Sequence, residues 1–300
     1  MAFLFFIEIV ISGLMTGVMY ALVAIGFVLI FKASGVFNFA QGVLALFAGL
    51  TLVGLMEKFG LPAWLAIIGT IAVMIALAWA IERFVLRHLV NQEHIILFMS
   101  TLGLAYILEG AGDIIWGSDV KVLDIGLPQG ASDWMLDSFG LYVDKLEVVA
   151  AVIATAMVIV LAIFFQRTRI GRALRAVADD HQAALSIGIS LRTIWVIVWS
   201  VSGIVALVAG VMWGSKSGIQ FSLSLIALKA LPVLILGGFT SIPGAIIGGL
   251  IIGVGEKLAE IYLGPYVGGA IENWFAYMLA LAFLMFRPQG LFGEKIIERI

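Results

Sequence analysis

RTRIGRALRAVADDHQAALSIGISLR, residues Arg167–Arg192, stands between two long apolar runs, VVAAVIATAMVIVLAIFF at 148–165 and a second at Thr193–Trp213. Each run is long enough to cross a bilayer as a helix. The loop between them carries Arg167, Arg169, Arg172, Arg175 and Arg192, the densest basic cluster in the chain. Lys and Arg in short loops set membrane orientation, so this loop is expected in the cytoplasm. It is also amphipathic. Leu174, Val177, Ala184, Leu185 and Gly188 fall near one face of a helical wheel, and Arg172, Arg175, Asp179, Gln182 and Ser186 on another. The apolar face wants a cover. The membrane surface, the protein's own body and a second protein are all open to it, and the pattern is read here in favour of a second protein.

Working outward, the composition agrees. The 300 residues are 63% hydrophobic and 12% charged, with no cysteine. Soluble domains carry about twice that charge. Mean hydropathy is +1.16. The runs do not alternate, which excludes a barrel, and backbone groups in lipid must then bond within helices. The expected fold is all-α, a polytopic membrane bundle of about nine spans forming one transmembrane domain over 1–300. The spans expected are Ile9–Phe31, Phe37–Met56, Ala63–Ile81, Ile95–Trp116, Leu146–Phe165, Thr193–Trp213, Ser222–Leu236, Pro243–Tyr262 and Ile271–Phe286. The second, seventh and eighth are rich in glycine or broken by proline, and each is a candidate half-helix. MAFLFFIEIV has no basic leader, so the first run is expected to be retained.

With 166–192 inside, alternation puts the N-terminus and the acidic segment 117–145 outside. Segment 82–94 and the amphipathic tail RPQGLFGEKIIERI then lie in the cytoplasm. Six tryptophans fall near expected span ends: Trp64, Trp116, Trp213 and Trp274 outside, Trp79 and Trp195 inside. They are expected to form an interfacial belt. A weak internal repeat is suggested by Phe37–Gly42 and Phe239–Gly244, each Phe-x-x-x-x-Gly before a small-residue helix.

Charges within spans are costly and mark pathways or ion pairs. Glu109 and Asp113 lie in the fourth expected span and Lys229 in the seventh. Counting from the outer ends puts Lys229 and Glu109 at similar depths, roughly 10 Å in. Lys229 is therefore expected to neighbour Glu109, either as a structural pair or on a solute path, with snorkelling as the alternative. Gly13/Gly17 forms a G-x-x-x-G, and Gly244, Gly248, Gly249 and Gly253 crowd the eighth span. They suit helix packing within the chain or an interface with a second membrane subunit. There is no phosphate-binding loop. The nearest string, GVGEK at Gly253–Lys257, has Glu256 before the lysine. His88, His94 and His181 suggest no shared metal site. No nucleophile stands beside a base, so the chain is expected not to be an enzyme.

Gln182-Ala183-Ala184-x-x-x-Gly188 resembles the cytoplasmic loop by which ABC importer permeases engage their ATPase. The whole chain then resembles the permeases of branched-chain amino acid ABC importers, LivH type. The likeness rests on Asn38-Phe39-Ala40-Gln41-Gly42 opening the second span. In the loop it rests on Asp180, Ala184, Gly188 and Ile189. Beyond it come Lys229 followed by Leu236-Gly237-Gly238, then Ser241-Ile242-Pro243-Gly244-Ala245 with Gly248-Gly249. The last match is Pro288-x-Gly290-Leu291-Phe292-Gly293. Departures are Gln41 where members often have His, Gln182 where the broader loop pattern has Glu, and no Leu-Pro after it.

The resemblance implies a multi-pass subunit of the bacterial cytoplasmic membrane with no cofactor of its own. Its implied partners are two cytoplasmic ABC ATPase subunits, a second permease subunit, an external solute-binding protein and the lipid bilayer, with no nucleic acid. It implies coupling through Asp180, Ala183, Ala184, Gly188 and Ile189, and a solute path near Asn38, Gln41, Gly42, Glu109, Asp113 and Lys229. Members carry branched-chain amino acids, urea, amides or aromatic acids. The alternative is an ion-coupled secondary transporter using Glu109, Asp113 and Lys229.

Overall fold

A backbone embedded in lipid must bond to itself, and the apolar runs accordingly form helices. The computed structural model describes residues 2–35, 37–89, 92–179 and 181–293. Its α-helices are α1 (Ala2–Ser34), α2 (Gln41–Phe59), α3 (Ala63–Phe84), α4 (His94–Trp116), α5 (Asp133–Phe139), α6 (Lys145–Arg167) and α7 (Arg169–Asp179). Then follow α8 (His181–Ser186), α9 (Leu191–Ser217), α10 (Ile226–Gly237), α11 (Ile242–Tyr262), α12 (Gly264–Val267) and α13 (Phe275–Phe286). Among the described residues the only β pairing is two isolated bridges.

Seven of these helices, α1, α2, α3, α4, α6, α9 and α11, are long and apolar enough to cross a membrane. The other two expected spans are short. At 12 residues each, α10 and α13 rise only about 18 Å, against about 30 Å of hydrocarbon. The seventh expected span is thus a half-length helix, but the second and eighth, equally suspect from their glycines, are full length. The ninth is shortened because Ile271–Asn273 forms a separate 3₁₀ turn before α13.

The chain divides into two compact units. The first comprises Met1–Val28, Gly126–Val158 and Leu228–Ile300, the second Leu29–Ile125 and Ile159–Ala227.

In the second unit α2 is the core. Every residue from Gln41 to Gly54 is buried, as befits a helix apolar on all sides and packed against α3, α4 and α9. Its small residues make this possible. A Cβ on Gly42 would stand 2.0 Å from the Ser224 carbonyl oxygen, and one on Gly210 of α9 2.4 Å from that of Ala45.

In the first unit α1 crosses α11 glycine against glycine. A Cβ on Gly17 would lie 2.6 Å from the Gly249 oxygen, and one on Gly253 2.4 Å from the Gly13 oxygen. These stripes, left open above between internal packing and a subunit interface, close a contact within the chain. Gly244 meets the end of α10 in the same way, at 2.1 Å from the Gly237 oxygen. The glycines shared by the two Phe-x-x-x-x-Gly strings, Gly42 and Gly244, therefore each admit a neighbouring backbone. The tail completes α10: Leu291 N donates to Leu236 O at 2.8 Å and Phe292 N to Gly237 O at 3.1 Å. Those two carbonyls would otherwise lack partners at a helix end. Glu294 to Ile300, half of the expected amphipathic tail, lie outside the described residues.

The tryptophan belt is partly corrected. Trp64, Trp79 and Trp274 are exposed, whereas Trp195 is buried and donates from Nε1 to the Ala33 oxygen at 3.2 Å. Trp116 packs its ring over Gly54, with the Lys58 ammonium 5.4 Å from the ring centroid.

Candidate functional site

Three polar constellations stand out from an otherwise apolar molecule. The first is a charged network in the first unit. Glu256, on α11, is 2% exposed. Its Oε2 accepts from the Tyr20 hydroxyl at 2.9 Å, and its Oε1 lies 3.8 Å from Lys229 Nζ. Lys229 in turn donates to the backbone oxygen of Glu272 at 3.0 Å, while Lys257 Nζ is 3.5 Å from Glu272 Oε2. Glu260, one turn along α11, accepts from the backbone nitrogens of Ala270 at 3.1 Å and Glu272 at 3.0 Å. These bonds hold Ala270 at φ +56°, a left-handed conformation that a residue with a Cβ rarely adopts.

The carboxylate beside Lys229 is therefore Glu256, where Glu109 was expected. Glu109 is half-buried and Asp113 exposed, both on α4 in the second unit. Sequence reasoning passed over Glu256 because it registered only as the residue spoiling GVGEK. The signal was present: three ionisable residues, Glu256, Lys257 and Glu260, inside one apolar span.

Pro232 explains part of the surrounding geometry. Proline has no N–H, so inside α10 it leaves the Leu228 carbonyl without its helical donor. The Tyr277 hydroxyl supplies one at 2.6 Å. Tyr277→Phe should strand that carbonyl and cost about 1–3 kcal/mol. A lower thermal midpoint in detergent, without loss of assembly, is the expected reading; an unchanged midpoint would mean another donor replaces the hydroxyl.

The second constellation is a buried knot in the second unit, made by the N-x-A-x-G opening. Asn38 Oδ1 accepts from Ala40 N at 3.1 Å, a local turn that asparagine favours. Its Nδ2 reaches Gln41 Oε1 at 3.5 Å, and the same oxygen accepts from Ser202 Oγ at 2.7 Å. Gln41 Nε2 donates back to Ser202 O at 3.4 Å. Thr101 Oγ1 ties in α4, donating to Phe37 O at 3.3 Å and accepting from Phe39 N at 3.3 Å. Asn38, Gln41 and Ser202 are at most 1% exposed. Buried amides need this many partners. Asn38, Gln41 and Gly42 thus fix the start of α2 against α9 and α4.

The third constellation is the arginine-rich loop. Thr168 caps α7, accepting from Gly171 N at 3.1 Å. Arg172 and Arg175 are exposed, while Leu174 and Val177 are buried, with α7 packed on α9. The protein's own body therefore covers much of the apolar face that the sequence reading assigned to a second protein. What remains outside lies on α8 and beyond: Ala183 is exposed, Leu185 is 52% exposed and Ile187 74%, with Ala184 buried.

Gly188, at φ +83°, ends α8. Its N–H donates to Leu185 O at 3.0 Å, and that of Ile189 to Ala184 O at 3.0 Å. This is the paired bond of a Schellman cap. Asp180 lies outside the described residues.

Segment 117–145 contains α5, whose Trp134, Leu136 and Phe139 are exposed. Lys145 donates to Asp133 Oδ2 at 2.7 Å, which holds the Asp133 carboxyl below its usual range. That contribution is present above the ordinary carboxylate pKa and is lost as pH falls through the lowered value.

A family model described as "Branched-chain amino acid transport system / permease component" matches residues 9–287. Similar proteins include the high-affinity branched-chain amino acid transport system permease protein LivH of Salmonella typhimurium, 29% identical over 99% of each chain. BraD of Pseudomonas aeruginosa, described in the same words, is 29% identical over 98% of each chain. A probable branched-chain amino acid transport permease protein LivH of Methanocaldococcus jannaschii is 28% identical over 91% of this chain and 88% of that one. Among solved structures, PsaBC from Streptococcus pneumoniae in complex with Fab aligns with TM-score 0.50 at 15% identity. It covers 92% of this chain and 89% of that chain, and the likeness is one of fold alone.

Proposed function

The chain belongs to the family of branched-chain amino acid transport system permease components, and from that premise we propose how it works. It is the membrane-spanning permease of an ATP-driven importer for branched-chain amino acids or a related small solute. The observation that carries this reading is the family match over residues 9–287, joined to a loop that leaves Leu185 and Ile187 exposed. ATP hydrolysis belongs to partners, in keeping with the lack of a phosphate-binding loop. Of two cytoplasmic ATPases, one docks on α8, where Ala183, Leu185 and Ile187 offer an apolar contact and Arg172 and Arg175 a basic rim. A second permease subunit and an external solute-binding protein complete the assembly, the latter meeting α5 and its neighbours in segment 117–145. The protein sits in the cytoplasmic membrane with its N-terminus outside and its C-terminus inside.

Within the first unit, Lys229 and Glu256 form the charged element assigned to solute passage; within the second, Asn38, Gln41 and Gly42 brace the start of α2. Glu109 and Asp113, on α4, are the charged candidates of that second unit. Relatives across the whole chain are named as permease components, which does not favour the ion-coupled alternative.

Gly188→Arg tests the coupling role. A side chain at φ +83° is strained by about 1–2 kcal/mol, enough to loosen a six-residue helix. With a tag on the permease, a P-loop ATPase should co-purify from native membranes with wild type and be lost with the variant. If no ATPase accompanies wild type in gentle detergent, the importer reading fails.

A further inference from the structure

Against α8 the second unit holds a cavity of about 430 Å³. Its walls include Glu82 and Arg87 from the end of α3 and the 3₁₀ turn after it, Leu185 from α8, and Leu191, Arg192 and Trp195 from the start of α9. Glu82 is only 6% exposed, and its Oε1 has no hydrogen-bond partner among the described residues. A buried carboxylate oxygen left without a donor is costly. Arg87 is half-buried and Arg192 exposed. Leu191 and Trp195 are nearly fully buried, and Trp195 already donates its only N–H to Ala33 O, so it offers the cavity an apolar face.

The lining thus combines a carboxylate, two guanidiniums that suit an acid group, and an apolar surface. A free α-amino acid with an apolar side chain presents those three chemistries within one small molecule. We infer that this cavity is a cytoplasmic-side binding site for such an amino acid. Its ammonium bonds Glu82, its carboxylate meets Arg87 and Arg192, and its side chain lies on Leu185, Leu191 and Trp195.

Leu185 and Leu191 stand on either side of the Gly188 cap. Occupancy therefore braces the loop in one position, and accumulated cargo restrains the importer from inside. This rests on the orientation and coupling role proposed above.

The chemistry has one competing source, the phosphoethanolamine headgroup of a lipid, which also joins an ammonium to an acid. The test uses the assembled importer without its solute-binding protein, in phosphatidylcholine nanodiscs that lack a primary ammonium. Calorimetry with L-leucine should show saturable binding. Isocaproate, lacking the amine, and isopentylamine, lacking the carboxylate, should bind weakly. Glu82→Gln should weaken leucine binding about tenfold or more, the loss of a charge-assisted bond. Arg192→Gln, an exposed position with little risk to folding, should weaken it as well. Wild-type ATP hydrolysis should slow as leucine is added, and hydrolysis by Glu82→Gln should not.

Leucine binding that survives whole in both variants overturns the inference. So does wild-type hydrolysis that ignores leucine, or binding abolished by adding phosphatidylethanolamine, which would assign the cavity to lipid. ATP-driven leucine uptake, measured on the same preparation in proteoliposomes, separates the two claims. Uptake without Glu82-dependent binding removes this inference alone, and failed uptake removes the transport reading.

Discussion

Gly253→Val is expected to yield no stably folded protein. The substituted Cβ would stand 2.4 Å from the Gly13 oxygen and 2.5 Å from Gly17 N and Cα. Every one of those atoms is backbone, so no side-chain rotation relieves the clash. Inserting bulk into a packed core costs about 1–3 kcal/mol where side chains can shift. Here α1 and α11 must separate along their whole glycine seam, and the cost is correspondingly larger. Gly110→Ala is the control. It lies within α4, and a Cβ there meets nothing within 4 Å. Alanine is the better helix former by about 1 kcal/mol, so this variant should be neutral or stabilised. Monodispersity and thermal midpoint of a fluorescent fusion in detergent decide the matter. A monodisperse Gly253→Val with the wild-type midpoint would show that α1 and α11 do not cross at these glycines.

Lys229 and Glu256 should behave unequally when removed singly and compensate when removed together. Breaking a buried ion pair from one side costs about 3–5 kcal/mol, because the remaining charge is stranded. The side chain of Lys229 is 25% exposed and keeps the Glu272 carbonyl, whereas that of Glu256 is 2% exposed and would keep only Tyr20. Lys229→Met should therefore destabilise more than Glu256→Met, and both figures belong at or below the low end of that range because the lysine side chain is not fully enclosed. The double Met variant should regain most of the lost stability, since two apolar side chains replace the pair without stranding a charge. On the reading that this pair stands beside the solute path, the double variant should nonetheless lose most of its uptake. Recovered stability with full uptake would make the pair purely structural. Additive losses in the double variant would deny that the two residues interact at all.

The sequence by itself determined that this is a helical membrane protein, where most of its spans lie, and which family it joins. Those features are local. A run of apolar residues in lipid has to become a helix, Pro62 and Gly60 mark helix boundaries wherever the helices go, and the run from Ser241 to Ala245 is recognisable in one dimension. The wheel put Gly188 on the loop's apolar face, whereas the chain uses it to end α8, because only glycine adopts φ +83° freely.

Partnership was left to tertiary structure. Each residue turns a helix by about 100°, so depth along a span can be counted from its ends, but the face a residue presents depends on how its helix is rotated. Depth matched Lys229 to Glu109, while the packing of α10 beside α11 matched it to Glu256. The same ignorance of rotation hid the use of Asn38 and Gln41 as a knot on Ser202, and let Trp195 pass for a belt residue. An amphipathic loop shows in sequence that it has an apolar face. Only the packed chain decided that Leu174 and Val177 turn inward against the body, and that Leu185 and Ile187 are what remains for another molecule to touch.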